Sequence, residues 1–245
     1  MPERSLIRTD TNDFAPRFSF AYRSPLAGLV IRGGYGLYYN GEARQSFTNM
    51  VAGPYVSSAT YDNSITGGVP LWTWPRVIPA NATARPLGIQ DISTPNVNRG
   101  SSCVQQWNLT LERQLGSYGL RTSYIGSSAM QLTFLRNLNQ PRASTAPFNQ
   151  NRRPYPFLRN ITFSDIGGVQ SYHSFQLELT RRLSNGFFLN AHYTLAKNLT
   201  DVQNTASAGG PIEDNYDRAR EYGDEAYTPR QRFVASLTWD LPIGK

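Results

Sequence analysis

The sequence predicts an all-β protein, an antiparallel up-and-down meander, and three observations carry that prediction. Seven segments alternate apolar and polar residues with the period of two that a strand imposes. The links between them alternate strictly between short and long. One face of each segment is apolar and often aromatic, while the other carries Gln, Asn, Thr, Ser and isolated charges.

The first expected strand covers about Pro16 to Arg23, with Phe18, Phe20 and Tyr22 on one face. The second covers about Gly28 to Tyr39 and contains "VIRGGYGLYYN". Its apolar face reads Ile31, Gly33, Tyr35, Leu37, and its other face reads Arg32, Gly34, Gly36, Tyr38. Glycine weakens a strand interior, so this run marks either a close approach to the backbone or a β-bulge. A third strand, about Val104 to Gln114, opposes Trp107, Leu109 and Leu111 to Asn108, Thr110 and Glu112. A fourth covers about Gly119 to Gly126 and has a second apolar stretch beyond it in "MQLTFLR". The fifth runs from Tyr172 to Arg182, the sixth from Phe187 to Leu195, and the seventh from Arg232 to Leu241.

The short links are "SPLA", "LGSY" and "LSNG", and "PIGK" follows the seventh strand like the start of another tight turn. The long ones are 40–103, 127–171 and 198–229. A meander with its tight turns at one end and its large loops at the other produces this order. Outer-membrane barrels sort their turns in that way, with the long loops extracellular. The expected fold is therefore an incomplete segment of a large outer-membrane β-barrel. A soluble secreted β-sandwich or small barrel that binds carbohydrate is the competing reading.

Composition narrows the classes further. Aromatic residues are plentiful, with 14 Tyr, 12 Phe and 4 Trp, while charged residues make up only 17%. The net charge of +7 comes from 22 Arg and two Lys spread along the chain, without a basic run, so no nucleic-acid partner is expected. Cys103 is alone and rules out an intrachain disulfide. No stretch approaches the roughly 18 apolar residues of a membrane-spanning helix. That leaves barrel strands open, since alternation hides their hydrophobicity.

Chemistry-bearing motifs are sparse. His173 and His192 both fall on strands outside any catalytic signature, so an enzyme is not expected and no cofactor is implied. "GGYG" lacks the Lys-Ser/Thr of a phosphate loop. In the long 40–103 link, Tyr55, Tyr61, Trp72 and Trp74 offer stacking surfaces for a ligand. In "IEDNYDRAREYGDEAYTPR", Glu213, Asp214, Asp217 and Asp224 are weak candidates for a cation site. Interleaved Arg218, Arg220 and Arg230 make an internally salt-bridged loop the plainer reading.

Seven stretches resemble one family in order and spacing over nearly the whole chain: "NDFAPRFSFAYR", "VIRGGYGLYYN", "VQQWNLTLERQLG", "LRTSYIGS", "NLNQP", "YHSFQLELTRRLSNGFFLNAHYTLAKNL" and "RQRFVASLTWDLPIG". They are similar to the C-terminal barrel of TonB-dependent receptors, in particular the Oar-like group with a carboxypeptidase-regulatory-like N-terminal domain. The resemblance implies a barrel of about 22 strands closed by a plug in the outer membrane of a Gram-negative bacterium. It implies uptake of a substrate with energy delivered by the TonB system. Its expected partners are outer-membrane lipid, the remainder of the barrel and plug, and TonB through N-terminal parts that this sequence lacks. Residues 1–245 are accordingly expected to form a partial barrel of about seven strands.

Overall fold

The computed structural model describes residues 10–25, 28–40, 63, 65–70, 73–75, 88–98, 100–202 and 211–241. Its strands are β1 (Arg17–Arg23), β2 (Leu29–Asn40), β3 (Ile65–Thr66), β4 (Val69–Pro70), β5 (Gln90–Pro95) and β6 (Ser102–Leu115). They continue as β7 (Tyr118–Asn137), β8 (Leu158–Ser184), β9 (Phe187–Thr200), β10 (Gly223–Asp224) and β11 (Gln231–Trp239). The seven expected strands are β1, β2, β6, β7, β8, β9 and β11, and each pairs antiparallel with the next. The sheet is open: among the described residues, β1 and β11 each pair on one edge only.

Turn chemistry places the tight connections at one end. Asn185 and Gly186, both at positive φ (52° and 73°), link β8 to β9 in the manner of a type I′ hairpin. Gly116 at φ 60° does similar work between β6 and β7. Gly33, Gly34 and Gly36 need no such backbone freedom, and the β1–β2 and β2–β6 registers run through them without a bulge. They answer to close approach instead. A Cβ on Gly33 would stand 2.5 Å from Cε1 of Phe20, and one on Gly36 would stand 3.0 Å from the ring of Tyr38.

The connection expected over 127–171 is a correction. β7 continues to Asn137 and β8 starts at Leu158, so the link covers only 138–157. The reason is a break in register: Ala129 pairs with Gln170, but Leu132 pairs with Gly168 and Thr133 with Ile166. Gln131 at φ 57° and Gly167 at φ 121° absorb the slip. Alternation is lost there, and with it the sequence signal for a continuing strand. The described parts of the other two long links also hold structure: β3, β4 and β5 in the first, and β10 with a 3₁₀ turn at Arg218–Glu221 in the last.

The projecting β7–β8 hairpin outruns its neighbours. β6 last pairs at Cys103–Met130, and β9 at Thr200–Gln170. Both bare edges are covered from the long links. β5 adds in parallel along β8, from Gln90–Leu158 to Pro95–Ser164. On the β7 side, Ile212 N donates to Leu135 O at 2.9 Å and Asn215 Nδ2 donates to Asn137 O at 2.6 Å. Each edge is thus covered by the link that starts on the opposite side of the hairpin. Covered edges do not recruit foreign strands.

The wall is a single layer, and its faces differ. Register aligns Phe18, Tyr35, Trp107, Gly126, His173 and Lys197 in one row across six strands. Rows below it hold Leu109, Tyr124, Phe175 and Leu195, then Leu111, Leu177 and Tyr193. The last row has Tyr118, Arg181, Leu189 and Leu237. From His173 to Arg181 on β8 is about 27 Å of strand, or roughly 20 Å along the normal at a ~40° tilt. That is close to the height of a membrane-facing apolar band. Among the described residues no second layer covers it: Phe18 is 65% exposed, Phe233 69% and Leu237 63%. A soluble sandwich would bury this face. Buried apolar side chains such as Phe134, Ile161 and Ile212 instead gather at the projecting end.

Candidate functional site

Alternation turns Arg32, Glu112, Arg121, Glu178 and His192 to the face opposite the apolar band. Register then brings them to one level: Glu112 pairs with Arg121, Arg121 with Glu178, and Glu178 with His192. Arg32 lies diagonally from Glu112, with Nη2 at 3.4 Å from Oε2. Arg121 Nε donates to Glu112 Oε1 at 2.9 Å, and its Nη1 donates to Glu178 Oε2 at 3.1 Å. His192 Nδ1 stands 3.9 Å from the same Glu178 oxygen. The result is a ladder of alternating charge across β2, β6, β7 and β8, with the His192 imidazole of β9 beside its last carboxylate.

Around the ladder, hydroxyl and amide groups fill the wall. Thr110 and Ser123 share a hydrogen bond at 2.9 Å, and Thr180 Oγ1 reaches Glu178 and Asn190 at 3.4 Å. At the tight-turn end lies a depression of about 330 Å³ whose lining includes Val30, Glu112, Arg121, Glu178, Thr180 and Arg182. Because the acids and bases neutralise one another along the wall, the surface is polar yet nearly balanced in charge. Such a surface holds water or a polar partner and repels lipid.

At the other end, two asparagines organise the projecting loops. Asn139 is fully buried, at 0% exposure, and its Nδ2 donates to the carbonyls of Tyr155, Leu158 and Arg159 at 2.9, 2.8 and 3.1 Å. Its Oδ1 accepts from Tyr155 N at 2.7 Å. Asn137 Oδ1 accepts from Asn139 N and Ile161 N, both at 3.0 Å. Gln140 then clasps the final link, donating to Glu213 O and accepting from Asn215 N. Arg218 completes the assembly. Its Nη2 donates to Gly167 O and Asp201 Oδ2, and its guanidinium lies 4.2 Å from the centre of the Phe134 ring.

The residues singled out from sequence fare differently. Trp74 is 84% exposed, a free platform, whereas Tyr55, Tyr61 and Trp72 lie outside the described residues. Among Glu213, Asp214, Asp217 and Asp224, the acids do not converge. Asp214 Oδ1 accepts from Tyr216 N at 2.8 Å, Asp217 precedes the 3₁₀ turn, and Asp224 sits in β10 opposite Leu199. Glu213 offers only its backbone, N to Glu221 Oε1 at 2.6 Å. Among the described residues no group of three or more His, Cys, Asp or Glu is placed to hold a metal ion. Of the arginines interleaved with these acids, Arg218 pairs with Asp201, at the start of the same link but outside the acidic segment. No single stretch of the sequence marks the charge ladder as a unit. Its members each stood on a polar face, but only register sets them side by side.

A one-layer antiparallel wall, apolar outward and polar inward with its long links at one end, defines a section of a membrane-spanning β-barrel. The chain belongs to the family described as outer membrane beta barrel domain, whose model matches residues 1–245. It resides in the cell outer membrane. The outer membrane transporter YddB from Escherichia coli is similar in structure, with a TM-score of 0.42 and 13% identity over 72% of this chain. This chain spans 18% of that one. No curated protein matches the chain in sequence.

Proposed function

We propose that residues 1–245 are one section of the barrel wall of a TonB-dependent, Oar-like outer-membrane receptor, which takes up a substrate across the outer membrane of a Gram-negative bacterium. The observation that carries this reading is the charge ladder on the inner face. A small barrel fills its own interior with side chains. Here the inner charges lie along the wall and engage one another, which fits a wide lumen with a separate occupant. A plug polypeptide is that occupant, and the TonB system acts on it from the periplasm. The work is binding and passage rather than covalent chemistry. The long links at 41–101, 138–157 and 201–230 face the medium and meet the substrate first, with Trp74 as one aromatic contact.

A photoreactive residue at Asn108, on the inner face of β6, tests the reading in cells that make the protein from its own gene. Crosslinking to a plug, together with uptake of labelled nutrient that collapses when TonB is lost, is the expected result. An uncrosslinked wall and a passive conductance indifferent to TonB would make this a diffusion pore instead.

A further inference from the structure

We infer that the outward rim around His173 and Lys197 is a binding site for the phosphate of an outer-leaflet lipid headgroup. These two residues are a direct register pair on β8 and β9, so their Cβ atoms stand about 5 Å apart. Both side chains are exposed. They occupy the row that closes the apolar band on the side of the long links, which is the outer leaflet. The site therefore sits at headgroup depth, beside the acyl region and not within it.

The chemistry around the pair is that of an anion site. Lys197 brings three N–H donors and, among the described residues, no ion-pair or hydrogen-bond partner. His173 is held in place by two hydroxyls: Tyr124 Oη at 2.7 Å from Nδ1 and Ser171 Oγ at 3.2 Å from Nε2. Trp107 lies over Gly126, where a Cβ would come within 2.3 Å of its ring, and its centroid is 6.0 Å from that of His173. The indole thus forms an apolar shelf next to the imidazole and the ammonium. Phosphate oxygens meet the ammonium and the hydroxyl that accepts from the imidazole N–H, and the lipid body meets the rings.

Two contrasts sharpen the assignment. The chain has 22 Arg but only two Lys, and Lys197 is the one within the described residues. At the opposite rim, Arg181 is sandwiched between rings, 5.6 Å from the Tyr118 centroid and 4.8 Å from that of Phe187. That cation is already engaged by aromatic faces. Lys197 is left for a partner from the membrane.

The test uses protein extracted from outer membranes in mild detergent, with bound phosphorylated lipid quantified by native mass spectrometry. K197Q should retain about fivefold less lipid, and H173Q/K197Q less again, whereas K197R should restore it. R232Q, on the inner face of β11, should leave retention unchanged. A second measurement needs no variant. In the wild-type protein, acylation of Lys197 by an amine-reactive ester should be blocked by phosphorylated lipid and unaffected by the same lipid after dephosphorylation. Equal protection by dephosphorylated lipid would reduce the site to an apolar contact and overturn the proposal. Displacement of the lipid by inorganic phosphate would make it a free-anion site, which also overturns it.

Discussion

Arg121 on β7 donates from Nη1 to Oε2 of Glu178 on β8 at 3.1 Å, and these two residues are direct register partners. Since Arg121 also holds Glu112 from its Nε, the guanidinium is the bridge between two carboxylates that would otherwise share a wall without a cation between them. The arrangement is half exposed, so screening limits its worth.

Replacing Arg121 with Met should therefore lower the stability of the folded barrel by roughly 1 kcal/mol. Adding E112Q and E178Q to the same protein should recover most of that loss, because no carboxylates then remain to repel. Urea titration of the heat-modifiable barrel band reads both values. An undiminished midpoint in R121M would show that the ladder has no energetic coupling.

Gly126 is the position where the backbone must accept a neighbour. Its virtual Cβ lies 2.3 Å from Cε2 of Trp107, so G126A has to push the indole off the wall. The expected cost is about 1–3 kcal/mol, with a shift in tryptophan emission. G126A/W107A should lose the penalty that the new methyl group adds. If G126A unfolds like the wild type, the close approach is not a constraint.

Asn139 tests the projecting head. N139L removes the donors that three carbonyls use and leaves Tyr155 N without its side-chain acceptor. Each unsatisfied buried group costs roughly 1–3 kcal/mol. The loss should be local: faster proteolysis and amide exchange in 138–157, with the membrane band unchanged. Uniform acceleration across β6 and β9 would instead mean that head and wall unfold together.

Arg218 ties the last long link to the β7–β8 hairpin through Asp201, Gly167 and the Phe134 ring. R218A should expose cleavage sites in 211–230 and cost about 1–3 kcal/mol locally, since it leaves the buried Asp201 without its cation. D201N should produce a milder version of the same pattern, because Val169 N keeps an acceptor at that position. Cleavage unaltered in R218A would show that the link is held elsewhere.

The sequence by itself determined the strands that cross the apolar band, their order and the end at which the tight turns lie. It could do so because a wall with lipid on one side and a polar interior on the other writes both into a period of two, as Phe175, Gln176, Leu177, Glu178 and Leu179 show on β8. Asn185-Gly186 is equally legible, since few other pairs accept two positive φ angles. Above the band that environment ends, and so does the signal. The outer halves of β7 and β8 read as loop because Gln131 and Gly167 break the alternation. Only the tertiary structure decided that β5 would add to β8 and that the acidic segment would dock on the Asn137–Gln140 corner. The same holds for the ladder from Arg32 to His192 and the rim at Lys197, because which strand lies beside which, and in what register, is a property of pairing between residues far apart in the chain.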